Sequence, residues 1–79
     1  MAANVRTNNF YVYVKREGKK AGYYTKEKFD NLKDAVKCAM SHKDRTNTVF
    51  VKQGWYNPKS CYTGETKVFE CKDGNIWFE

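Results

Sequence analysis

The sequence reads as an α+β domain: an antiparallel sheet of four or five strands with one helix packed on one face, in the order ββαβββ. Three features carry this reading. Phe10-Tyr11-Val12-Tyr13-Val14-Lys15 mixes β-branched and aromatic residues without a breaker, as strands do. Leu32, Ala35, Val36, Ala39 and Met40 recur at helical spacing and form one apolar stripe. Asp73-Gly74 stands between two strand-like runs and is the preferred chemistry of a two-residue hairpin turn, where both central residues need positive φ. At 79 residues the chain is expected to be a single domain spanning 1–79, because either half would be too short to build its own core.

Each element follows from its residues. Met1 to Asn9 has no periodicity and is expected to be a flexible terminus. In the first strand Phe10, Val12 and Val14 share one face, and Tyr11 and Tyr13 share the other. Arg16-Glu17-Gly18-Lys19 is a polar turn, from which Lys20 to Thr25 returns as a second strand bearing Tyr23 and Tyr24. The result is a hairpin with a basic tip. Asn31 is a good helix N-cap, and Asp34 suits the positive end of the helix dipole. Lys33 and Lys37 lie opposite the apolar stripe, and His42 and Lys43 suit the negative end, so the helix is expected over Leu32 to His42.

Thr46 to Gln53 is the third strand, centred on Val49-Phe50-Val51. Thr66 to Lys72 and Asn75 to Phe78 form the second hairpin. Its turn sets Cys71 opposite Ile76, Glu70 opposite Trp77, and Phe69 opposite Phe78. Phe69, Cys71, Ile76 and Phe78 then face the core, while Val68, Glu70 and Trp77 face outward. The expected core is Phe10, Val12, Val14, Leu32, Ala35, Val36, Ala39, Met40, Val49, Val51, Phe69, Ile76 and Phe78. Gly54 to Glu65 remains as a long link with Pro58, two glycines and three aromatics. Links of this length are often functional, or part of one pairs as an irregular strand. Packing is expected for Trp55 and Tyr62, and exposure for Tyr56 and Lys59.

The charge is uneven. Residues 1–45 carry eleven Lys/Arg and five Asp/Glu, whereas residues 46–79 carry four of each, so the whole net charge of +6 lies in the first part. Lys15, Arg16, Lys19, Lys20, Lys26 and Lys28 make its densest stretch. Such a field attracts phosphate backbones, acidic proteins or anionic surfaces, and it also serves plain solubility. No apolar run is long enough to span a membrane, and Met1 to Phe10 lacks the apolar region of a signal peptide. Cys38, Cys61 and Cys71 are odd in number and widely spaced. A disulfide framework is therefore not expected, and a reducing cytoplasmic setting is.

Enzymatic chemistry finds little support. Cys38 and His42 are four apart on the helix and can be neighbours, but nothing nearby supplies an orienting group or an oxyanion site. Cys38, His42, Cys61 and Cys71 are zinc-ligand types, yet Cys61 and Cys71 are too far apart in sequence for the tight turn pair of a structural site. The nine acids are scattered among lysines, and no glycine-rich phosphate loop occurs. The expectation is a non-enzyme with no metal and no cofactor.

Binding finds more. One helix covers one face of a sheet and leaves the other open. That face would carry Tyr11, Tyr13, one of Tyr23 and Tyr24, and Trp77, with Lys15, Lys20, Lys26, Lys67 and Lys72 around it. Rings for base stacking and cations for phosphates are what single-stranded nucleic acid requires. A protein interface uses the same residues, and a homodimer through the open face would also cover it. Strands favour aromatics and edges favour lysine in any case. The candidate contact residues are Tyr11, Tyr13, Lys15, Arg16, Lys19, Lys20, Lys26, Lys28, Tyr56, Lys59 and Trp77. The partner is expected to be nucleic acid or an acidic protein surface of a nucleoprotein complex, with no membrane involved. The alternative is a protein-directed inhibitor or adaptor that binds no nucleic acid.

The order hairpin, Phe29-Asp30-Asn31-Leu32-Lys33-Asp34-Ala35-Val36, hairpin resembles small phage and bacterial proteins whose helix opens on F-x-[SN]-L-x-x-A. Over residues 10–78 the layout is similar to that of small phage-encoded anti-CRISPR inhibitors. The resemblance implies a compact, non-enzymatic viral accessory protein that acts in the host cytoplasm by blocking or redirecting a larger machine. It carries no functional residue across. Because the chain is basic, the charge points away from acidic mimicry of nucleic acid.

Overall fold

The computed structural model describes residues 4–16 and 27–79. They form strand β1 (Val5–Arg16), strand β2 (Lys28–Phe29), helix α1 (Leu32–Ser41), and strands β3 (Asn47–Tyr56), β4 (Thr63–Lys72) and β5 (Asn75–Phe78). The five strands make one antiparallel sheet in the order β2-β1-β3-β4-β5. The helix packs across β1, β2 and β3 on one face. This is the α+β architecture expected, with one helix on a five-stranded sheet.

Helix α1 starts where the sequence places it. Asn31 has extended backbone, and its Oδ1 accepts the Asp34 N–H at 2.8 Å. Asp34 returns a bond by accepting from Asn31 Nδ2 at 2.9 Å. The helix ends one residue before the expected His42, which instead caps it: the His42 N–H donates to Ala39 O at 3.1 Å, and the following Lys43 N–H donates to Met40 O at 3.2 Å. Ala35 and Ala39 are fully buried, and their small size brings the helix axis close to the valines of β1 and β3. The buried cluster joins Val12, Val14, Val49, Val51, Val68, Phe69 and Cys71 to these alanines, with Phe10, Phe29, Leu32, Val36 and Cys38 packed around it.

Asn47, at the start of β3, is buried, and both polar atoms of its side chain are hydrogen-bonded. Its Nδ2 donates to His42 O at 2.7 Å, and its Oδ1 accepts the Asp44 N–H at 2.9 Å. Asp44 Oδ1 in turn accepts from Thr46 N and Oγ1, which holds its carboxyl below the usual carboxylate range. These bonds fix the connection that drops the chain from the helix into the centre of the sheet.

The structure corrects several expectations. Strand β1 begins at Val5 rather than Phe10, so Val5 to Asn9 belong to the sheet instead of a flexible terminus. They pair with the far end of β3 through an irregularity between Arg6 and Phe10 that interrupts the sequence periodicity. The expected second strand, Lys20 to Thr25, lies outside the described residues. The described partner of β1 on that edge is Lys28–Phe29. Strand β3 runs on through Gly54 to Tyr56 and β4 starts at Thr63, so the long link shrinks to a turn over 57–62. Asn57 organises that turn, with Oδ1 accepting from Lys59 N at 2.9 Å and Ser60 N at 3.1 Å. Trp55 packs as expected and Tyr56 is exposed as expected, but Tyr62 is exposed rather than packed.

The core is smaller than expected. Met40, Ile76 and Phe78 are 39%, 58% and 54% exposed, respectively. A helix of ten residues seated over β1 and β3 does not reach β5, the edge strand. Phe78 packs its ring, tilted, against Phe69 at a centroid distance of 5.0 Å. Val68 is buried rather than outward, because a register shift places an extra residue in β4 between the partners of Val51 and Lys52. The second hairpin keeps the expected register, and Asp73 and Gly74 have φ of 51° and 78° as the turn requires.

Candidate nucleic-acid interface

The face opposite α1 is built by alternation. Val12, Val14, Val49 and Val51 point to the helix, so Tyr11, Tyr13, Lys15, Thr48, Phe50 and Lys52 point away. Paired residues of an antiparallel sheet share a face. Tyr13 pairs with Phe50, Phe50 with Glu70, and Glu70 with Trp77, which sets one row across four strands. At the usual strand spacing that row is about 14 Å long. A second row joins Lys28, Tyr11, Lys52 and Lys67.

The centre of the face is an aromatic pair under two cations. Tyr13 and Phe50 stack with centroids 5.2 Å apart and planes at 16°. Lys52 Nζ lies 5.5 Å from the Tyr13 centroid and 5.8 Å from that of Phe50, and Lys67 Nζ lies 5.7 Å from Phe50. Phe50 is only 6% exposed although no described helix or strand covers it. The stems of long cationic side chains shield such a ring while their charged heads stay in water. Trp77 is 46% exposed and offers its ring at the β5 end of the row.

Charge on this face is one-sided. It carries Lys15, Lys28, Lys52, Lys67 and Lys72, against Glu65 and Glu70. Both carboxylates are engaged: Glu70 bonds Lys67 at 2.7 Å, and Glu65 accepts from the Tyr13 hydroxyl. Four of the lysines line a hollow of about 220 Å³ with Thr48, Phe50 and Glu70. A second hollow of about 410 Å³, farther along β3, is lined in part by Tyr11, Tyr56, Gly54 and Glu65. Gly54 makes room for it: a Cβ there would stand 3.0 Å from Thr7 Oγ1 and 3.5 Å from the Tyr11 ring. The glycine that reads as a strand end is a place of close approach by Thr7 of β1.

Of the residues expected at the interface, Tyr11, Tyr13, Lys15, Lys28 and Trp77 are brought onto this one face, and Tyr56 lies at its far end. Lys59 sits in the exposed 57–62 turn, away from the central row. Arg16 falls by alternation on the helix side, where its charge helps lower the Asp44 pKa. Lys19, Lys20 and Lys26 lie outside the described residues. Phe50 and Lys52 join the face without being among the expected contact residues, although the Val49/Val51 alternation points both away from the core. His42 and Cys38 lie across the sheet, at the end of α1.

No helix among the described residues is long and apolar enough to cross a membrane. In comparisons with known proteins, no protein-family model, no curated protein and no solved structure matches the chain.

Proposed function

We propose that the protein is a non-enzymatic binding module that takes single-stranded nucleic acid on its open sheet face. One observation carries this reading: a stacked Tyr13–Phe50 pair beneath Lys52 and Lys67, on a face where Glu65 and Glu70 of the described residues are already engaged. Bases stack on exposed rings for roughly 1–3 kcal/mol each, and lysines around them meet the phosphates. Trp77 and Tyr11 supply stacking surface on either side of the central pair. No described helix lies on this face to read bases in a groove, so the binding is weakly sequence-specific. The resemblance to small phage-encoded inhibitors supports a role as a viral accessory factor at a nucleoprotein machine in the host cytoplasm.

Fluorescence anisotropy with labelled single-stranded DNA, single-stranded RNA and duplex DNA at two salt concentrations tests this. If all five lysines meet phosphates, log affinity falls with log salt at a slope of roughly −3.5 on single strands. Trp77→Ala and Lys52→Glu weaken binding, whereas Lys37→Glu, on the exposed side of α1, leaves it unchanged. Absence of binding at low salt refutes the proposal and assigns the basic face to an acidic protein partner.

A further inference from the structure

Across the sheet from the basic face, three side chains of metal-ligating type meet. Cys38 Sγ, one ring nitrogen of His42 and a carboxylate oxygen of Glu27 all lie within 4.8 Å of one another. We propose that Glu27, Cys38 and His42 form a binding site for a zinc-like divalent cation, with water completing its coordination.

The chain fixes all three positions independently of a metal. Cys38 and His42 are one turn apart, so both project from the same side of α1. Glu27 is anchored from another element: its carbonyl accepts the Val12 N–H at 3.2 Å, which ties it to β1. Its carboxylate already accepts from the Cys38 thiol at 2.6 Å. Burial and that hydrogen bond to Glu27 push the thiol pKa up to about 11. A cation replaces the proton held between sulfur and oxygen: the S–H bond breaks, a metal–sulfur bond forms, and one proton leaves to solvent.

The donor set suits the ion. Thiolate, imidazole and carboxylate together match zinc and its neighbour cobalt, and not the hard cations that need oxygen alone. Bond lengths of about 2.0–2.3 Å place tetrahedral donors roughly 3.3–3.8 Å apart, so the Cys38 thiol and the Glu27 carboxylate, 2.6 Å apart, open by about 1 Å on binding, and the His42 ring, within 4.8 Å of both, adjusts to the same range. Glu27 and His42 are exposed and have room for this. A divalent cation between two negative donors and a neutral imidazole leaves the site uncharged. It also lies at the C-terminal end of α1, where the helix dipole favours positive charge. The four-residue set of Cys38, His42, Cys61 and Cys71 does not assemble, because Cys71 is in the core of β4 and Cys61 in the exposed 57–62 turn. Glu27 supplies the ligand that spacing alone does not reveal.

Titration of the full chain with Co²⁺, followed by Zn²⁺ competition, tests the site. One equivalent of Co²⁺ should give thiolate-to-cobalt charge-transfer absorption and release close to one proton, and Zn²⁺ should abolish the band. Cys38→Ser removes the band, Cys61→Ser keeps it, and Glu27→Gln or His42→Ala weakens Co²⁺ affinity about tenfold or more, with each fold checked by circular dichroism. No thiolate band in the wild type, a band that survives Cys38→Ser, or full affinity in Glu27→Gln overturns the proposal.

Discussion

Gly64 sits opposite Trp55 in the β3–β4 ladder, and the indole occupies the space where a side chain would be. A Cβ at Gly64 would stand 2.4 Å from Trp55 Cζ2 and 2.7 Å from Cε2, so Gly64→Ala must drive the ring off β4. Overpacking of this kind costs about 1–3 kcal/mol. Against it, replacing a strand glycine with alanine recovers about 0.5–1 kcal/mol of backbone entropy. The net effect is a loss of up to about 2.5 kcal/mol in the wild type. With Trp55 truncated the clash is gone and only the entropic gain remains, so Gly64→Ala becomes stabilising by about 0.5–1 kcal/mol in a Trp55→Ala background. Urea unfolding of the four proteins of this cycle, read by circular dichroism so that loss of a tryptophan does not alter the probe, gives both values. Stabilisation by Gly64→Ala in the wild type, or the same effect in both backgrounds, refutes the placement of Trp55 over Gly64.

Three further outcomes follow from particular contacts. Asn31→Ala removes the bond to Asp34 N–H and costs about 1 kcal/mol in urea unfolding, while Asn31→Asp costs much less. Phe69→Ala costs about 3–5 kcal/mol because Phe69 is 1% exposed, whereas Ile76→Thr, on the exposed edge strand, changes stability by under about 0.5 kcal/mol. Arg6 bonds Glu79 through both guanidinium nitrogens and holds its carboxyl below the usual carboxylate range. A depressed folded pKa contributes stability above the unfolded value and loses it as pH falls through the folded value. The salt-sensitive part of the acid destabilisation therefore shrinks in Arg6→Gln, as measured by thermal melts between neutral pH and pH ~3.

What the sequence makes legible here is what local chemistry decides. Asn31 and Asp34 mark the helix start because a cap is settled within four residues. Asp73-Gly74 sets a whole hairpin register because both turn positions demand positive φ. The larger misreadings involve partners distant in sequence. Gly54 looks like a strand end until Thr7 from β1 is seen to stand 3.0 Å from where its side chain would begin. Val68 looks outward until a register shift in β4 adds one residue and reverses its side. Ile76 and Phe78 have the right alternation for a core, but burial also requires a helix long enough to reach them. The interface divides in the same way. Alternation in β1 exposes Tyr11, Tyr13 and Lys15, while the convergence of Trp77 with Tyr13 depends on β3 and β4 lying between their strands.

The same geometry dictates how the proposed function is to be dissected. Phe50 is the centre of the open face, yet it is as buried as many core residues and stacks on Tyr13 as the core rings pack on theirs. A domain of this length has a total stability of roughly 4–12 kcal/mol, and truncating a buried phenylalanine removes about 3–5 kcal/mol. Lost binding in Phe50→Ala therefore does not distinguish a missing contact from a missing fold. Trp77 and Lys52 avoid this confusion. Trp77 stands half-exposed on an edge strand, and Lys52 projects over the rings instead of lying among the core side chains. If their variants melt like the wild type and no longer retain single strands, the loss belongs to the face. If binding falls only in step with stability, the aromatic row is sheet packing and the lysines above it serve to keep it dry.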